Sequence, residues 1–313
     1  MRRRKPLREK REKRKKGKLK NKLVYGIVAV GFIFVCFLVY SSLHPENPSP
    51  NGQTGTPKAA LIDHLSFSSP PPNDTFNDLC KTILEDAGFD FIYYGGEEVT
   101  VNFYKNLTTY DYSLIVLRVH SAVIKDDQGN PTNLIGLFTS EICNETTESK
   151  YSLEISQGRL ARAHLFTEND TYYFGITPWF VKESMVGNFE ETVIIMMGCE
   201  GLNQTSIAEA LVQRGAKVYI SWTGPVTISH TDDATIRLLQ SLLQQNQTIK
   251  TAVEGISSDP TWRWSKLDYY PKEVGDNVIQ VFMSDLTLRV TETSVICYKV
   301  CLFSSPNRFE AMK

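Results

Sequence analysis

Residues 192–222, TVIIMMGCEGLNQTSIAEALVQRGAKVYISW, decide the fold. The run at 192–197 is apolar after its opening Thr192, as in a strand buried on both faces, and Gly198 and Cys199 end it. Ser206-Ile207-Ala208-Glu209 reads as a capping box that opens a helix, and Gly215 closes it. The chain then returns as a strand at 216–222. Outward from this unit the alternation repeats. KAALID at 58–63 and LIVLRV at 114–119 are further apolar strands, and FDFIYYG at 89–95 lies between them. Leu79, Ile83, Leu84 and Ala87 mark a helix over 75–88; Val99, Phe103 and Leu107 mark a second. Thr235, Leu238, Leu239, Leu242 and Leu243 give one face of a helix over 232–245. Residues 121–191 are less regular and read as loops and a hairpin around YYFGIT. The predicted fold is α/β, a mostly parallel sheet with helices on both faces and its sites at the carboxyl ends of the strands.

Two reactive side chains stand at such ends. His120 directly follows the 114–119 strand, and Cys199 ends the 192–197 strand. An ordinary cysteine is only about 3% thiolate at neutral pH, so a neighbouring imidazole is needed to take its proton, and it can return that proton to a leaving amine. Backbone N–H groups at Ser121, Gly198, Glu200 and Gly201 are the expected oxyanion donors. A buried free thiol beside a hydrogen-bonded strand-end histidine is the alternative reading of the same pair. His64 with Asp63, and His230 with Asp232 and Asp233, lack the spacing of a zinc motif. Neither a metal nor a cofactor is expected.

LIVLRVHS followed by VIIMMGCEG resembles the paired active-site blocks of caspase-like cysteine peptidases. GCEGL, a helix, and GAKVYISWTGPVTISHTDDATIRLL are similar to the CHAT-domain and separase branch of that group. The resemblance spans 58–252. It implies a caspase-hemoglobinase fold, a catalytic dyad of His120 and Cys199, and endopeptidase activity. It also implies that Trp222, Asp232 and Asp233 help line the primary specificity pocket, where an acid would hold a basic substrate residue. Acids in a first helical turn also favour the helix dipole, an alternative role for the two aspartates. The chain departs from the family at Ser121, where glycine is usual, and that side chain is expected to narrow the approach to the oxyanion site.

Length and charge divide the remainder. The 313 residues, 42% of them hydrophobic, rule out a small disulfide-stapled scaffold. Residues 1–22 carry 14 Lys or Arg against Glu9 and Glu12, and the rest of the chain is net acidic. An acidic bulk argues against nucleic-acid binding. Residues 23–40, LVYGIVAVGFIFVCFLVY, hold no charge and as a helix cover about 27 Å, enough to span a bilayer. Basic residues before the span place the later chain outside the cytoplasm. A signal peptide cleaved near Ser41 or Ser42 is the alternative. The expected organisation is a basic cytoplasmic tail at 1–22, a signal anchor at 23–43, a Pro/Gly linker at 44–57, a peptidase domain at 58–290 and a tail at 291–313. Six sequons, at Asn73, Asn106, Asn144, Asn169, Asn203 and Asn246, fit an exported, glycosylated domain. Cys80, Cys143, Cys199, Cys297 and Cys301 follow the span, an odd number, and Cys199 is expected to stay free while some of the others pair.

The function read from these features is a membrane-anchored extracytoplasmic cysteine endopeptidase acting on polypeptides. The alternative is a catalytically inactive surface binding module on the same fold.

Overall fold

The computed structural model describes residues 56–67, 73–126, 128–165 and 171–279, all within the unit formed by 54–313. The proposed anchor at 23–43, the basic tail, Asn169, Cys297 and Cys301 lie outside the described residues. No helix among the described residues is long and apolar enough to cross a membrane.

One sheet carries strands β1 (Lys58–Asp63), β2 (Asp90–Tyr94), β3 (Tyr112–Arg118), β8 (Val193–Met196), β9 (Val218–Trp222) and β10 (Leu267–Tyr270). Their order is β10-β9-β8-β3-β1-β2, parallel except for the antiparallel edge strand β10. The apolar runs supply two cores because successive side chains face opposite ways. Ala59, Leu61, Leu114, Val116, Val193, Ile195, Val218 and Ile220 pack against helices α1 (Asp74–Asp86), α7 (Ile228–Leu239) and α8 (Ile249–Glu254). On the opposite face, Ala60, Ile62, Ile115, Leu117, Ile194, Met196 and Tyr219 meet α2 (Val101–Asn106), α5 (Pro178–Glu183) and α6 (Ser206–Gln213). The sheet is therefore mostly parallel with helices on both faces, as expected.

Between β3 and β8 the chain is more ordered than its sequence suggested. Residues 121–191 hold a second, antiparallel sheet in the order β4-β5-β7-β6, made of β4 (Ser121–Lys125), β5 (Pro131–Ile142), β6 (Leu160–His164) and β7 (Tyr172–Ile176). Two one-to-two-turn helices, α3 (Glu145–Lys150) and α4 (Ser152–Ser156), connect β5 to β6. Ile135, Leu137, Leu160, Phe174 and Ile176 join the core on the α2 and α6 face. Ser206 is not a cap. It lies inside α6, and its hydroxyl accepts the Ile135 N–H at 3.1 Å, tying that helix to the second sheet.

Candidate active site at the carboxyl edge of the sheet

Strands β3 and β8 pair in parallel with Leu117 opposite Met196, and the Met197 N–H donates to the Leu117 carbonyl at 2.9 Å. His120 and Cys199 each stand three residues past that pair, on neighbouring strand ends. The two exits are drawn close. A Cβ on Gly198 would collide with the Val119 carbonyl oxygen, so a glycine is required there. The buried Ser121 hydroxyl donates to the Cys199 carbonyl, and Glu200 Oε2 accepts the Val123 N–H at 3.3 Å. Two bonds therefore stitch the start of β4 to the cysteine loop. The Ser121 side chain is turned into this contact.

The Cys199 thiol is half-buried. It accepts the Val226 N–H at 3.4 Å and lies 3.6 Å from the Val226 carbonyl, to which it can donate. Burial raises its pKa, and the Glu200 and Asp259 carboxylates raise it further against the Val226 hydrogen bond. The resting sulfur is a thiol. His120 packs edge-on against His64, with ring centroids 5.8 Å apart, and against Phe138 at 5.9 Å; its carbonyl accepts the Phe138 N–H at 2.9 Å.

On the other side of Cys199 the wall is built from residues 223–227 and 259–264. The Glu200 N–H donates to the Gly224 carbonyl at 2.9 Å, and the Trp264 indole lies where a Cβ on Gly224 would be, yet remains 60% exposed. Asp259 is buried and binds both segments: it accepts the Thr227 N–H and hydroxyl at 2.8 and 2.9 Å and the Thr261 and Trp262 N–H groups at 2.7 and 3.0 Å. Burial alone would raise its pKa, but these hydrogen bonds outweigh it and bring it down to about 2. Sequence reasoning missed Asp259, Gly224 and Trp264. The Asp259-Pro260-Thr261-Trp262 stretch is an Asx-turn signal that would have marked the first of them.

Other expected site residues do different work. Helix α7 begins at Ile228, so Asp232 and Asp233 sit a turn inside it and cannot serve its N-terminus. Asp232 is buried and takes a bidentate pair from Arg118, with Nε to Oδ1 and Nη2 to Oδ2 both 2.9 Å. Arg118 also donates through Nη1 to Asp63 at 2.8 Å, and Asn73 Nδ2 donates to Asp232 at 2.9 Å. With both oxygens engaged, Asp232 does not line a substrate pocket. Asp233 is exposed on α7. Trp222 is 1% exposed and bonds through Nε1 to Thr231 at 2.9 Å, so it belongs to the core behind the cysteine and not to the pocket wall. Two expected oxyanion donors are already engaged, Glu200 by Gly224 and the Gly198 N–H by Met196 Sδ at 3.0 Å. Gly201 is buried where a Cβ would strike Met196 and Ser221, a packing requirement.

Among the sequons, Asn144, Asn203 and Asn246 are exposed, and Asn144 caps α3. Asn106 is half-buried, with its amide nitrogen on the Asn102 carbonyl at 2.8 Å. A glycan on Asn73 would replace a hydrogen on the same nitrogen that donates to buried Asp232, so the expectation of occupancy does not extend there. Cys80, Cys143 and Cys199 are all free thiols, and Cys80 and Cys143 do not pair with each other. No protein-family model matches the chain, and no curated protein matches it.

Proposed function

We propose that this chain is a caspase-like cysteine endopeptidase of the CHAT-domain and separase type, anchored in a membrane by residues 23–43 with its folded domain on the extracytoplasmic side. The observation that carries the reading is the β3–β8 register, which sets His120 and Cys199 at equal distances past one strand pair. Because the sulfur rests as a thiol, proton transfer to His120 accompanies attack on the substrate carbonyl. The tetrahedral adduct collapses to a thioester as the scissile C–N bond breaks, and the departing amine takes the proton from His120. Water, deprotonated by the same imidazole, then hydrolyses the thioester and restores the thiol. A preference for basic substrate residues cannot rest on Asp232; of the two aspartates, exposed Asp233 is left to supply it.

A peptide-like acyloxymethyl ketone tests the proposal on the purified ectodomain. Labelling at Cys199, absent in Cys199→Ala and reduced at least tenfold in His120→Ala, is the expected outcome. The raised thiol pKa and the Val226 hydrogen bonds favour a second reading, a binding module that has kept the fold without turnover. Peptide binding without any labelling would select it.

A further inference from the structure

A second histidine reaches the same edge. Asp63 ends β1 opposite Arg118 of β3, so His64, the next residue, stands alongside the exit that leads to His120. His64 is fully buried, among Phe67, Phe138 and His120, with ring centroids at 6.4, 6.4 and 5.8 Å. Neither of its ring nitrogens forms a hydrogen bond of normal geometry. The Thr139 backbone is the group close enough to favour a proton on one of them. Packing does not account for an imidazole here. A phenyl ring would fill the same space without burying two polar atoms, and a buried polar atom left unpaired costs free energy.

An acceptor unpaired at rest is useful where charge develops later. When the Cys199 thiol loses its proton to one nitrogen of His120, the other ring nitrogen carries an N–H that becomes a much stronger donor. We propose that His64 is a positioning residue for His120: its unprotonated nitrogen accepts that N–H and so stabilises the imidazolium in the transition state more than the resting ring. This rests on the cysteine–histidine chemistry proposed above. The proton count is unchanged, since the one proton moves from Cys199 Sγ to His120 and on to the leaving amine.

A neutral acceptor also fits the resting thiol. A carboxylate in its place would pull the proton off sulfur before substrate arrives, whereas the charges around the pair are otherwise engaged. Asp63 and Arg118 are bonded to one another beneath it, Asp232 completes that group, and Glu200 on the cysteine side holds the Val123 N–H. His64 stays neutral at any working pH, because burial, reinforced by His120, lowers its pKa to about 3.

The experiment uses the folded ectodomain with 13C-labelled histidine rings, comparing wild type, His64→Phe and His64→Gln. In His64→Phe the His120 resonance is expected to titrate about one pH unit lower, as for the loss of a tenfold preference for the charged ring. Peptide turnover should fall ten- to a hundredfold, with most of both effects restored by His64→Gln, whose amide oxygen can accept. Unchanged His120 titration in His64→Phe would overturn the proposal. Misfolding of His64→Phe beside a well-folded His64→Gln would leave a polar structural role and overturn it equally. Absence of turnover in wild type would instead count against the peptidase reading, while the His120 titration still decides the role of His64.

Discussion

Arg118 stands out at the residue scale, because a guanidinium closes an otherwise apolar strand and two buried carboxylates depend on it. Removing one partner of such a group leaves charge unpaired in a medium that solvates it poorly. Asp232→Ala should therefore lower unfolding free energy by about 3 kcal/mol in urea titrations. Relative turnover of arginine and leucine substrates by the folded fraction should stay within twofold, where a pocket acid would lose arginine selectivity. His64 gives a pH signature. Its folded pKa of about 3 lies below its ordinary 6.5, so as acid is added the unfolded chain binds the proton first. Its contribution is intact above pH 6.5 and declines by roughly 1.4 kcal/mol per pH unit as pH falls toward 3. Denaturation midpoints of His64→Phe should lack that slope. The placement of His120 and Cys199 at neighbouring strand ends was legible in the sequence, because His120 directly follows an apolar run and Cys199 stands one glycine beyond another. The true role of Asp232 was not, since its partner is hidden inside LIVLRV and meets it only after α1 and α7 pack on the sheet.

At the scale of elements, the strands β1, β3, β8 and β9 were readable because burial on both faces leaves an unbroken apolar run. The second sheet was not. Its strands are interrupted by polar residues and glycine, β5 opens with Pro131, and the β4–β5 and β5–β7 ladders both shift register. The start of α7 was misplaced by a turn, because Ser229, His230 and Thr231 conceal a helix that the Asp232-Asp233 pair seemed to begin. The segments flanking Cys199 carry a direct test. Gly224→Ala would set a methyl group against the indole of Trp264, and the ring must leave the 223–226 backbone. Expected results are a loss of about 1–3 kcal/mol and a shift in tryptophan emission, with the pH dependence of Cys199 alkylation unchanged. An unaltered emission spectrum would show that Trp264 does not rest there.

Over the whole molecule the thiols report on the two cores. Cys80 lies in the α1 and α7 core, where burial raises its pKa, and Cys143 borders the second sheet with its pKa raised by burial and by Glu148 to about 11. In the native protein iodoacetamide should modify Cys199 at a rate that climbs with pH and does not level off below pH 9, because its thiolate forms only above its ordinary value of 9.0. Cys80 should stay unmodified until the protein unfolds. A plateau for Cys199 near pH 7 would indicate a preformed ion pair with His120.

The position of the second sheet in the chain also sets an order of events during synthesis. Strand β3 gains β1 as soon as it emerges, since β1 precedes it, but its other edge belongs to β8. All four strands of the second sheet must leave the ribosome before β8 does. For that interval the nascent chain carries an open, apolar strand edge at the centre of the future sheet, the kind of edge that recruits strands from other chains. The same delay keeps Cys199 away from the His120 strand end until β8 is made, so a half-made chain has an edge to protect before these two side chains can meet.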